Sequence, residues 1–111
     1  MKAVLKFEKP IKFEEKEIKE IDLSAIEGWS SLKYTQTVNK MQAAGDYPTL
    51  GTVEGSAQFA WYVGAEVSGL PVEFFQMLPQ KYIRGITLAV MKNFTLTADD
   101  LEKVLLIDGS I

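Results

Sequence analysis

The sequence predicts an α+β domain, with an N-terminal antiparallel β-hairpin or small sheet over residues 1–23 and a bundle of about four helices over residues 29–105. Three observations carry this prediction. Apolar and polar residues alternate through the first 23 positions, the period of a strand with one buried face. Further along, apolar residues recur at helical spacing, and glycine and proline stand where one element must stop and the next begin. Strands first and helices afterwards is the ordering of an α+β fold. At 111 residues the chain has the size of one domain, 1–111, able to bury a core without disulfide staples.

In the first strand Ala3, Leu5 and Phe7 alternate with Val4, Lys6 and Glu8. Pro10 interrupts the pattern, and Ile11 and Phe13 resume it. A second strand runs from Glu17 to Leu23 and ends in the apolar pair Ile21 and Leu23. A turn centred on Glu15 and Lys16 sets Phe13 across from Ile18 but leaves Ile21 and Leu23 out of phase with it. An extra residue near Lys19 and Glu20, a β-bulge, is expected to return them to the core face.

From about Trp29 to Ala44 the positions Trp29, Leu32, Thr35, Val38 and Met41 step by three along one side of a helix, which Gly45-Asp46 ends. Tyr47 to Gly55, with Pro48, Gly51 and Gly55, reads as a loop. The helix that follows, from about Val53 or Ser56 to Ser68, is apolar nearly all round and is expected at the centre of the core, with Trp61 among its buried residues. Gly69 ends it, Pro71 opens the next turn, and Pro79 opens another. From Pro79 to about Phe94, the residues Tyr82, Ile83, Ile86, Val90 and Phe94 form a broad apolar face. Thr97 and Asp100 have the spacing of a capping box ahead of Leu101, Val104 and Leu105. They predict a short last helix, with 106–111 as a tail that frays from Asp108.

Composition removes several classes of function. The chain has no cysteine and no histidine, which takes away the thiol and imidazole ligands of zinc and the usual nucleophile-base pairs. No cofactor and no metal is expected. The formal net charge of −3 opposes binding to nucleic acid phosphates and to anionic membranes. The N-terminus lacks the apolar run of a signal peptide. The most apolar windows, Ala57 to Leu70 and Tyr82 to Met91, are interrupted by Glu66 and Arg84 and fall short of the roughly 20 residues of a membrane span. A cytoplasmic protein is expected.

Four motifs bear on chemistry. The stretch from Glu66 to Pro79 has the outline of a helix-turn-helix, yet its second helix, Val72 to Leu78, lacks the basic and polar face that a DNA reader presents. Glu14, Glu15, Glu17 and Glu20 are interleaved with Lys12, Lys16 and Lys19, as on a solvated hairpin rather than in an acid-base pair. Gly51 and Gly55 are followed by no Gly-Lys-Ser/Thr, and Glu54 would repel a phosphate. Ser30 and Lys33 have Ser-x-x-Lys spacing without its companion motifs, and read as a helix cap followed by a solvated lysine. An enzyme is not expected. Trp29 and the pair Phe74 and Phe75 divide between core and contact surface, the helix of the pair being too short to bury both.

Two blocks of sequence, "KPIKFEEKEIKEIDL" and "VSGLPVEFFQMLPQKYIRGITLAVMKNF", together resemble the small tail assembly chaperones of long-tailed bacteriophages and prophages. That family opens with a Pro-Ile-x-Phe hairpin, matched by Pro10, Ile11 and Phe13, then Lys16-Glu17 and the apolar pair Ile21 and Leu23. It closes with a Ser-Gly-Leu-Pro corner, matched by Ser68 to Pro71, and a helix running into Asn93-Phe94. Glu15 stands where such hairpins often carry glycine.

The resemblance implies a non-enzymatic protein that binds the tape measure protein, keeps its apolar helices soluble and helps recruit tail tube subunits. In many such phages a frameshift-extended form engages the tube protein, and the chaperone is absent from the finished virion. The rival readings are a small DNA-binding regulator and a structural head-tail protein. For the partner helix, Phe74, Phe75 and Met77 are expected to form one wall of an apolar groove. For self-association, the stripe through Trp29, Leu32, Val38 and Met41 is the expected face.

Overall fold

A computed structural model of the chain describes residues 4–47 and 53–94. The strands are β1 (Val4–Phe13) and β2 (Lys16–Asp22). A 3-10 turn (Ser24–Gly28) leads to the helices α1 (Ser31–Ala43), α2 (Ala57–Ser68), α3 (Val72–Gln76) and α4 (Gln80–Phe94). The hairpin followed by four helices is the α+β order expected from the sequence. The middle of the loop after Tyr47, the capping box at Thr97 and the short last helix lie outside the described residues.

The hairpin turns one residue earlier than expected. Phe13 pairs with Lys16 and Ile11 with Ile18, so the turn is Glu14-Glu15, whose φ angles are 49° and 68°. Two central residues at positive φ give the turn a twist that matches the right-handed twist of the strands.

The irregularity also falls on the other strand. Between the pairs Lys6 with Glu20 and Ile11 with Ile18, the four residues Phe7 to Pro10 stand opposite Lys19 alone. The surplus is therefore in β1, not near Lys19 and Glu20 of β2. Because the surplus is odd, it reverses the alternation of one strand against the other. Ile18 and Ile21, which differ in parity, can then pair with Ile11 and Leu5 of a single parity. Pro10, which has no N–H to give to a ladder, sits in this irregular stretch. There the Glu8 N–H donates to Tyr82 Oη of α4 at 3.0 Å, tying the bulge to the helix behind it.

Helix α1 is capped by Ser30, whose Oγ accepts from the Lys33 N–H at 3.1 Å. Its inward face is Tyr34, Thr37, Val38 and Met41, with Thr37 and Met41 buried. The three-residue stripe drifts off this face, because a strict step of three falls behind a period of 3.6. The buried Thr37 hydroxyl donates to the Lys33 carbonyl at 2.9 Å, so it brings no unsatisfied polar group into the core.

Helix α2 is the centre of the bundle, touching α1, α3, α4 and the hairpin. Ser56 Oγ accepts from the Gln58 and Phe59 N–H groups, and Gly69 ends the helix with φ 76° while donating to the Ala65 carbonyl. Phe59, Ala60, Val63 and Gly64 are buried. Trp61, expected in the core, is half-buried and packs against its edge. A Cβ on Gly64 would lie 2.5 Å from Phe75 Cε1, so the bare backbone of α2 is what lets α3 close onto it.

Phe74 of α3 packs edge to face beside Phe75 at 5.1 Å and reaches the hairpin. Its ring meets Phe13 edge-on at 5.3 Å and Phe7 at 6.2 Å, and Phe7 meets Tyr82 at 4.9 Å. These aromatic contacts join the hairpin to α3 and α4. Ile83, Ile86 and Val90 of α4 complete the core.

Two substitutions test this arrangement. Gly64→Ala forces the Phe75 ring to move and is expected to destabilise the fold by about 1–3 kcal/mol in urea unfolding, although alanine has the higher helix propensity. Glu15→Gly relieves a positive-φ position and is expected to raise stability by about 1 kcal/mol by the same measurement.

Candidate functional site

The residues nominated from the sequence as protein-binding do not form one surface. Phe74 and Phe75 are both 0% exposed, as is Met41. The expectation that α3 is too short to bury both phenylalanines fails because α3 lies between two layers. Phe75 faces Gly64 of α2 while Phe74 meets the hairpin, and the two rings also cover each other edge to face at 5.1 Å. Met41 is inside because it shares a face with Thr37 rather than with Leu32. Trp29 and Val38 are half-buried. Leu32 and Met77 are open to solvent, at 65% and 53% exposure.

Met77 lies at the mouth of a groove of about 320 Å3 lined by Ile11, Leu78, Pro79 and Tyr82, with Glu8, Lys9 and Lys81 around it. Lys81 Nζ donates to Glu8 Oε1. One wall is thus the irregular part of β1, held by the Glu8 to Tyr82 hydrogen bond, and the other is the corner between α3 and α4. The sequence pointed to Met77 but not to Ile11 and Tyr82, which join it only through the tertiary packing.

Trp29 lines a second groove, of about 280 Å3, with Ser30, Ser31, Tyr34 and Glu54. Tyr34 Oη donates to Glu54 Oε1 at 2.9 Å. Burial, reinforced by the hydrogen bond to the Glu54 carboxylate and its charge, pushes the Tyr34 hydroxyl up to about 12. At the other end of the same connection Tyr62 Oη donates to Asp46 Oδ2 at 2.6 Å. Neither Tyr34 nor Glu54 was nominated from the sequence, because their separation of 20 positions crosses a loop with no period to read.

Ser30 caps α1 as expected, but Lys33 is not a freely solvated lysine. Its Nζ donates to Glu66 Oε2 at 2.6 Å and stands 5.6 Å from the centre of the Trp29 ring. Lys40 Nζ donates to the other oxygen of Glu66. The hydrogen bonds from Lys33 and then Lys40 hold the Glu66 carboxyl below its usual range. Glu66 thereby pins α1 against α2. The hairpin carboxylates Glu14, Glu15, Glu17 and Glu20 are all exposed, and Glu17 and Glu20 lie across from Lys12 and Lys6.

Two further apolar residues, Leu88 and Met91, are exposed one turn apart on the outer side of α4. Among the described residues, no helix is long and apolar enough to cross a membrane. No protein-family model matches the chain, and no curated protein and no solved structure matches it.

The Tyr34 pair generates an alkaline prediction. Its folded pKa is raised above the ordinary value of 10.0, so its contribution to stability is complete below about pH 10 and is lost as pH rises towards about 12. Tyr34→Phe is expected to flatten that part of the stability-pH curve relative to the parent chain, measured by urea unfolding at stepped pH.

Proposed function

We propose that this protein is a non-enzymatic phage tail assembly chaperone, acting in the cytoplasm of the bacterial host and absent from the mature virion. Its partners in this reading are the tape measure protein and the tail tube protein, the latter engaged through a frameshift-extended form. The two blocks of sequence that resemble the family support it. The observation that carries it is Met77, exposed at the lip of a groove whose Ile11, Leu78, Pro79 and Tyr82 are apolar. An amphipathic helix seats its apolar ridge in such a groove and leaves its polar side to the rim. Methionine, unbranched and polarisable, accommodates the varied ridges of a long partner.

Self-association belongs to the same proposal, with Leu32 as the exposed apolar residue of α1 that a second copy would cover. The DNA-reading alternative is disfavoured by α3 itself. Its two phenylalanines are in the core, and the side chains left to solvent are Glu73 and Gln76, followed by Met77. None of these carries a positive charge, and Glu73 would repel a phosphate.

Co-expression with the tape measure protein of the same genome is the direct test, read as the soluble fraction of that protein. The parent chain is expected to raise it, and Met77→Asp to abolish the rescue while keeping folding stability within about 0.5 kcal/mol. Rescue by Met77→Asp would show that another face binds. No rescue by the parent chain would overturn the chaperone reading.

A further inference from the structure

We infer that the outer face of α4 receives the chain's own C-terminal segment, residues 97–108, folded back on it as an amphipathic helix. The face consists of Arg84, Leu88, Met91 and Lys92, which follow one another at helical spacing along one side. All four are exposed, Leu88 at 59% and Met91 at 44%, while Ile83, Ile86 and Val90 on the opposite side are in the core. Helix α4 contains no acidic residue. Among the described residues the ion pairs are Lys33 and Lys40 with Glu66 and Lys81 with Glu8, and none of them uses Arg84 or Lys92. An apolar pair flanked by two such cations is complementary to a helix with an apolar ridge and acidic borders.

Residues 95–111 lie outside the described structure, and their sequence is the complement of that face. Leu101, Val104 and Leu105 recur at helical spacing behind the Thr97-Asp100 cap, and Asp99, Asp100, Glu102 and Asp108 are set against the single cation Lys103. Connectivity fixes the direction. Helix α4 ends at Phe94, so only Thr95 and Leu96 precede the cap, and a connection that short makes neighbouring helices antiparallel. A reversal about Leu96 brings Leu101 to Met91, Val104 to Leu88 and Asp108 to Arg84, with Asp100 beside Lys92. Apolar meets apolar, and acid meets base. At 1.5 Å per residue such a helix spans about 18 Å, enough to cover α4 from its end back to Arg84. The Met77 groove, at the start of α4, stays open.

The tether also favours this occupant over one arriving from solution, because the segment is held at high effective concentration beside the face. A second copy presenting its own α4 would set Arg84 and Lys92 against the same cations.

The chain has no cysteine, so an introduced pair reports proximity without background. Full-length chain carrying Leu88→Cys and Val104→Cys, dilute and under mild oxidant, is expected to close a disulfide within one molecule about tenfold faster than chain carrying Leu88→Cys and Leu106→Cys, whose second position lies off the ridge. Adding Arg84→Glu to the first pair is expected to slow closure about threefold, and adding Asp108→Lys as well to restore it. Arg84 and Leu88 are exposed, so these changes leave the core intact. Equal rates for the two cysteine pairs overturn the docking, as do disulfides that form only between chains, which would assign the face to a second copy. A rate unmoved by Arg84→Glu overturns the register. The purified chain is tested alone, so each outcome stands apart from whether the tape measure protein is its partner.

Discussion

The close approach of the Phe75 ring to Gly64 is the contact on which the rest of the structure depends. A side chain there would meet the ring at 2.5 Å, so the two helices can touch only because α2 has no Cβ at this point. With Phe75 seated on α2, the next side chain back, Phe74, is turned to the hairpin. There it meets Phe13 and Phe7, and Phe7 in turn meets Tyr82. The α3 segment is thus held by both α2 and the hairpin, and its position sets where α4 begins and where the Met77 groove opens. A core packed to the density of a crystal transmits a displacement at one such contact to its neighbours.

Electrostatics fixes what the aromatic contacts leave free. The connection between α1 and α2 is fastened at each end by a tyrosine hydroxyl on a carboxylate, Tyr62 on Asp46 and Tyr34 on Glu54. Glu66, held by Lys33 and Lys40, then closes the α1-α2 seam. Exposed ion pairs add little to stability, but a carboxylate shared by two ammonium groups at a helix seam restrains orientation as well as distance. These contacts border the Trp29 groove; the Met77 groove lies apart, between β1 and the α3-α4 corner.

Much of the fold is legible in the sequence because its signals are local. Gly69 and Pro71 mark the corner after α2, Ser30 caps α1, and the apolar circumference of α2 announces a central helix. The hairpin was also visible, yet its details were not. Alternation in β1 and β2 shows that a parity change must occur, but not which strand supplies it, and the surplus proved to lie in Phe7 to Pro10, where the backbone is tied to Tyr82. The lining of the grooves was the least legible. Phe74, Phe75 and Met41 are core residues, while Ile11, Tyr34, Glu54 and Tyr82 border the grooves.

What the sequence by itself determined is the order and type of the elements, the absence of thiol and imidazole chemistry, and the points at which helices start and stop. These depend on a residue and its near neighbours, through backbone sterics, capping and periodicity. That Phe74, Phe75 and Met41 are covered was decided only by the tertiary structure. Burial of Phe74 and Phe75, neighbours on one short helix, requires two partners, α2 and the hairpin, that are distant in sequence. The pairing of Tyr34 with Glu54 likewise requires a loop to return to the helix it left. Burial and pairing are properties of neighbours in space, and no local pattern encodes them.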